Sequence, residues 1–188
     1  MSGFSALIYQ ITWQRLLFTG IGTDLSSITV IVSVFMLGLG LGAFFGGRIA
    51  DNKKFNLLFL FCIIEVLIGV CGLLSYKGIG LLQNLLTHAE LYIVGIATFL
   101  FLLAPTFLMG TTLPLLTTFI NKYIGNIGES IGGLYFANTQ GAAVGALTTG
   151  IFLFNYLTLS ESIYLAASIN VLVAVLSFLL YKGKNANA

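Results

Sequence analysis

Charge is what this sequence most lacks. Charged residues make up 7% of its 188 positions, against 58% hydrophobic. Ordinary soluble domains carry roughly 25% charged residues, so too little polar surface exists here to cover a water-soluble globule. A protein with several membrane spans is the class that remains. The few basic residues are scattered, which excludes a basic stripe for nucleic acid. Cysteine is almost missing: Cys62 and Cys71 fall in one apolar run. Their spacing puts them about half a turn out of phase on a helix, unable to pair within it. Both read as small apolar fillers. His88, the single histidine, sits in a polar connection and is expected to be solvated. With no nucleophile–base pair, metal cluster or phosphate loop, neither an enzyme activity nor a metal or cofactor is expected. No basic region precedes the first apolar run and no small-residue cleavage site follows it, so a removable signal peptide is not expected.

What is present is long apolar runs, and one of them organises the rest. The stretch from Val34 to Lys54 begins as an apolar helix with Gly38, Gly42 and Gly46, then stops in a charged turn containing Arg48, Asp51, Lys53 and Lys54. Glycine costs a soluble helix about 1 kcal/mol each. In lipid a row of glycines makes a groove that another helix can approach closely. Hydropathy predicts six spans, at about 3–19, 26–47, 55–76, 91–120, 131–154 and 162–181, followed by a polar tail at 182–188. Residues 78–86 read as a short helix lying in the interface. The fourth span is long enough that Pro105 and Pro114 offer two places to kink or break it.

Six spans put both termini on one side. The face carrying them and the turns after spans two and four holds Arg48, Lys53, Lys54, Lys122, Lys182 and Lys184, while the other holds only Lys77. That bias predicts cytoplasmic termini and a location in the cytoplasmic (inner) membrane. Span two reads Phe35, Gly38, Gly42, Gly46, and span five echoes it with Phe136, Gly141, Gly145, Gly150. The two run in opposite directions, as in an inverted three-plus-three repeat.

The turn Gly47-Arg48-Ile49-Ala50-Asp51-Asn52-Lys53-Lys54 resembles the Gly-x-x-x-Asp plus basic loop of major facilitator superfamily transporters. Asn52 stands where that family usually has a basic residue, and the following glycine is missing. Three further stretches, Phe4–Leu17, Phe107–Leu116 and Gly133–Leu147, are similar to the membrane domain found ahead of the catalytic domain in fused spermidine-synthase-like proteins. Gln10 stands where those relatives often have Glu, and the aminopropyltransferase domain has no counterpart in this sequence. The resemblance implies an all-α polytopic fold, half of a major facilitator-like transporter, and no enzyme activity. It also implies a second copy to complete a cavity, hence a homodimer in membrane lipid. By the same resemblance, helices two and five form the seam between halves, through Gly38, Gly42, Gly46, Gly141, Gly145 and Thr149. Packing within one chain is the alternative. Helices one and four line the cavity.

On span one, Tyr9, Gln10, Trp13 and Gln14 are the candidate solute ligands; an aromatic beside two amides suits an amine or polyamine. The plainer reading anchors Trp13 near the interface and lets the amides bond neighbouring helices. Asn138 is either glue between helices or a cavity ligand. Glu65, mid-span with no basic partner in its own helix, reads as a proton-coupling carboxylate or as half of a buried pair with Arg15. Arg15 otherwise snorkels to the headgroups, meets Asp24, or clamps a substrate anion. Thr106, Thr111 and Thr112 lie between or beside the two prolines, where broken backbone would present carbonyls. Arg48, Asp51, Lys53 and Lys54 form either a conformational latch or a solvated turn. Two functions follow: a half-size transporter working by alternating access, or a non-transporting anchor or regulatory subunit of a separate enzyme partner or larger membrane complex.

Overall fold

A backbone that enters lipid has to pair its own N–H and C=O groups, and a helix does this within one segment. The computed structural model describes residues 1–22, 24–52, 55–86 and 88–185, and every regular element among them is helical. The long helices are α1 (Ser2–Ile21), α2 (Asp24–Ala50), α3 (Leu57–Leu85), α4 (Leu91–Ile124) and α5 (Ile127–Thr148). A π-helical turn (Thr149–Leu153) and a single turn, α6 (Phe154–Tyr156), then lead to α7 (Leu159–Asn185). Four segments are long and apolar enough to cross a membrane: Ser26–Ala50, Leu57–Leu85, Leu91–Ile124 and Leu159–Tyr181. The chain is therefore a helical membrane protein.

Local chemistry sets the ends. The Asn56 side chain accepts from the Phe59 N–H to start α3 (3.1 Å), and Asn126 does the same for α5 from Glu129 (3.2 Å). Thr158 and Glu161 form a reciprocal capping box ahead of α7. Gly22 and Gly125, at φ 76° and 71°, close α1 and α4 in the left-handed region that a side chain disfavours.

Two expectations about the helices are corrected. Residues 78–85 are not a separate interfacial helix but the end of α3, which runs unbroken past Tyr76. The extension is held by Gln83, whose amide donates to the Leu16 carbonyl of α1 at 3.1 Å. Nor do Pro105 and Pro114 break α4, which is continuous over 34 residues. The hydroxyls of Thr106, Thr111 and Thr112 turn back to carbonyls of their own helix, Thr106 to Leu102 and Leu103, Thr111 to Leu108 and Thr112 to Met109. Their hydroxyl protons are satisfied there.

The helices pack as three pairs, α2 on α4, α1 on α5 and α3 on α7, with α1 and α4 also flanked by neighbours on both sides. Backbone approach decides the tightest of these. A Cβ added to Gly42 would strike the Phe107 carbonyl and the Gly110 Cα, and one added to Gly110 would strike the Leu39 carbonyl and Cα. The place of a Cβ on Gly38 is filled by Thr106, and one added to Gly46 would come within 2.8 Å of the Thr111 Cα. On the other side, a Cβ added to Gly145 would strike the Phe4 carbonyl, and one on Gly141 would lie 3.5 Å from the Phe4 N. Thr149 is fully buried in the same chain and donates to the Gly145 carbonyl at 2.7 Å. The assignment of Gly38, Gly42, Gly46, Gly141, Gly145 and Thr149 to a seam between copies is thus corrected. Their grooves are occupied by α4 and α1 of the same chain.

Gly40 supplies an internal control, since nothing lies within 4 Å of a Cβ built there. Gly42→Ala is expected to cost about 1–3 kcal/mol, because backbone rather than a flexible side chain must move. Gly40→Ala should be neutral or stabilising by up to about 1 kcal/mol. Thermal unfolding of both variants in detergent checks the contrast.

Candidate functional site

Small residues on four helices leave a space between them. Gly3 and Ala6 of α1, Ala43 of α2, Gly110 of α4 and Ala142 of α5 border a cavity of about 310 Å³. Phe35, Leu39, Met109 and Leu113 make most of it apolar, and Gln10 and Asn138 bring the amide groups. Pro114 and Gly110, four residues apart on α4, both line it. Since proline has no N–H, the Gly110 carbonyl loses its helical donor and is an acceptor beside the cavity. Tyr135 of α5, which is 61% exposed, forms part of the rim. A smaller space of about 140 Å³ shares Ser2, Thr112, Leu113 and Asn138 with it and reaches Phe61, Val173 and Ser177.

Of the expected solute ligands, the structure brings Gln10 and Asn138 together around this cavity. Gln14 is half-buried and is not among the residues lining it. Tyr9 and Trp13 are corrected, because both are fully buried and neither lines the cavity. Their rings stack at 5.1 Å, and Trp13 also packs on Phe35 at 5.9 Å. The Trp13 indole N–H donates to the Ser75 hydroxyl at 2.7 Å, which in turn donates to the Gly72 carbonyl at 2.6 Å. Gly72 has no side chain, which leaves room for the Tyr9 ring against α3. Trp13 is four residues from Tyr9 and three from Gln10, so the sequence allowed either face. Packing took the aromatic one.

Glu65 is fully buried on α3, and its Oε2 accepts from the Asn170 amide of α7 at 2.7 Å. Pairing with Arg15 is corrected. The carboxyl is met by Asn170 and by the Ser2 end of α1, and Arg15 lies thirteen residues, about 20 Å of helix, beyond Ser2. Arg15 is exposed, with its guanidinium 5.8 Å from the centre of the Phe18 ring; the Asp24 side chain lies outside the description. At the charged turn, the Arg48 guanidinium stacks 4.1 Å over Phe44. Asp51 borders a cavity of about 410 Å³ that also touches Thr118 and Lys122 at the end of α4. Lys53 and Lys54 lie outside the described residues.

Sequence reasoning missed three members of these sites. Tyr135 passed as one more apolar-helix aromatic. The prolines are expected from sequence to present backbone carbonyls, but nothing there singles out Gly110. Asn170 carried a usable signal, a lone amide within the apolar run Tyr164–Tyr181, as Glu65 is a lone acid within its own.

Compared with protein-family models, curated proteins and solved structures, the chain finds no match.

The two aromatics give opposite expectations on substitution. The Tyr9 hydroxyl is buried without a hydrogen-bond partner, so Tyr9→Phe should leave stability unchanged or raise it by up to about 1 kcal/mol. Trp13→Phe loses the Ser75 bond and leaves a void, and should cost about 1–3 kcal/mol. Unfolding midpoints of the two single variants, taken side by side, check the assignment of this face to the core.

Proposed function

We propose that this chain is a half-size, major facilitator-like transporter whose cavity between α1, α2, α4 and α5 takes a small solute rich in hydrogen-bond donors, such as an amine or polyamine. The observation that carries the reading is the acceptor set. Gln10, Asn138 and Gly110 line a largely apolar space together with Ser2 and Thr112, and their amide oxygens and freed carbonyl supply acceptors of the kind that orients a small donor-bearing ligand. With Tyr9 and Trp13 committed to the core, Phe35 and Tyr135 are the aromatics lining the cavity, and Tyr135 at its rim is the one placed to meet an entering cation.

The pairing of helices supports an inverted three-plus-three layout. Exchanging α1 with α4, α2 with α5 and α3 with α7 turns the α2–α4 contact into α5–α1 and leaves α3–α7 as itself. The same exchange turns α1–α2 into α4–α5 and α3–α4 into α7–α1, and all of these pairs touch. In both halves the helix bearing the glycine row is the second of its triplet, seated on the first helix of the other. On this reading α1 and α5 also cross the membrane, at about 30 and 33 Å of helix. All six spans then place both termini on the basic, cytoplasmic side of the inner membrane. The resemblance of the Gly47–Lys54 turn to the transporter loop, and of three helices to the membrane domain of fused spermidine-synthase-like proteins, points the same way. A second copy would close the cavity by meeting its rim, near Leu39 of α2 and Tyr135 of α5, rather than the glycine rows.

The second reading is a non-transporting anchor or regulatory subunit. It is favoured by the broad apolar face of α5, where Ile131, Tyr135 and Phe136 are each at least half exposed. Uptake of a panel of amines, polyamines and amino acids into proteoliposomes separates the two. Transport predicts uptake of at least one amine, falling about tenfold or more in Asn138→Leu and Gln10→Leu, since each loses an acceptor worth about 1–3 kcal/mol. Uptake that never exceeds that of empty liposomes, from a protein that copurifies with a partner enzyme, supports the subunit.

A further inference from the structure

The seam between α3 and α7 is built from small residues. Gly69 lies 3.3 Å (as a Cβ) from the Ala167 carbonyl, the Cys62 thiol donates to the Ala174 carbonyl at 3.3 Å, and Ala166 is fully buried. Between those contacts the only long polar side chains are Glu65 and Asn170, facing each other. Asn170 Nδ2 donates to Glu65 Oε2 at 2.7 Å, and the remaining oxygens, Glu65 Oε1 and Asn170 Oδ1, have no hydrogen-bond partner. Both are acceptors when the glutamate is ionised. Two orphan acceptors inside a membrane protein cost several kcal/mol unless something donates to them.

What could donate is limited by space. Glu65 is 0% and Asn170 1% exposed, so a sphere the size of water finds essentially no access to either. A water molecule does not fit, and a proton does. We propose that Glu65 and Asn170 form a proton site: one proton, taken from solvent onto Glu65 Oε1, is donated to Asn170 Oδ1 and satisfies both orphans at once. An acid and an amide joined this way close a ring of two hydrogen bonds, N–H to oxygen and O–H to oxygen. The ring pins α3 to α7. When the proton leaves to solvent, the carboxylate loses its donor role, two acceptors face each other, and the seam is loosened.

The groups around the site are few. From α1, Ser2, the Met1 amino group and the Tyr9 hydroxyl bear on the Glu65 carboxyl, and Cys62 does so from its own helix. α4 has no titratable side chain between Tyr92 and Lys122, and α7 none between Tyr164 and Tyr181. Ser2 also lines both cavities that meet at Asn138, which gives the proton a polar way in. The site holds whether or not a solute crosses the membrane.

Infrared spectroscopy of the full chain in lipid tests this. The chain has four glutamates, and Glu90, Glu129 and Glu161 are all exposed. At neutral pH the wild type should show a protonated-carboxyl C=O band that shifts on ¹³C-glutamate labelling. Glu65→Gln should lose the band and keep its helical circular dichroism, because an amide pair still fills the seam. Asn170→Leu should move the band to higher frequency, as for an acid with no amide partner. The wild-type labelling needs no variant to fold. A spectrum without the labelled band at neutral pH overturns the proposal, as does a band that survives in Glu65→Gln or one that ignores Asn170→Leu.

Discussion

Everything in this bundle is arranged around one close approach of backbone to backbone, where Gly42 of α2 and Gly110 of α4 face each other. Lipid tails are as apolar as leucine, so burial alone gives two membrane helices no reason to associate. Contact area and dispersion have to do it, and they fall off steeply with a gap of even half an ångström. Removing side chains at the crossing lets the helices meet along their length, with Gly38 and Gly46 seating Thr106 and Thr111 on either side. The α1–α5 pair uses the same device at Gly145, and α3–α7 uses Gly69 with a run of alanines. Beside that crossing, the cavity opens between α1, α2, α4 and α5.

The placing of α1 follows from this. It is the most polar of the long helices after the glycine-rich α5, yet it is largely buried. Ser5, Thr12, Tyr9 and Trp13 are all hidden, and only Arg15, Thr19 and Gly20 are well exposed within it. Two of these polar groups find partners inside, Ser5 on the Ser2 carbonyl and Trp13 on Ser75, while the Tyr9 and Thr12 hydroxyls have none. A helix that faces protein rather than lipid can afford such a composition, and α1 is not among the four long apolar segments.

Much of the fold was legible in the sequence. The starts and ends of the helices were marked by turn residues and caps, and the apolar runs gave the class. What could not be read was occupancy. A row of glycines says that something approaches closely, and it does not say from which chain; Gly38, Gly42 and Gly46 fit either answer until α4 is seen lying in them. Likewise the face of Trp13 was open, because a residue three from Gln10 and four from Tyr9 borders both. Gln10 and Asn138, two of the residues lining the candidate cavity, stand out in the sequence because amides are scarce in apolar helices. Asn170 was equally scarce, but its meaning depends on Glu65, which is 105 residues away in the chain and comes beside it only through packing.

The central claim, that the glycine rows are seams within one chain, is tested most directly by tethering α2 to α4. Phe45 and Phe107 face each other across that seam, with ring centres 6.0 Å apart. In a background with Cys62→Ala and Cys71→Ala, the double variant Phe45→Cys, Phe107→Cys should oxidise to a species of monomer mass whose linked peptide joins α2 to α4. A covalent dimer as the main product, with no link inside the monomer, would contradict the account.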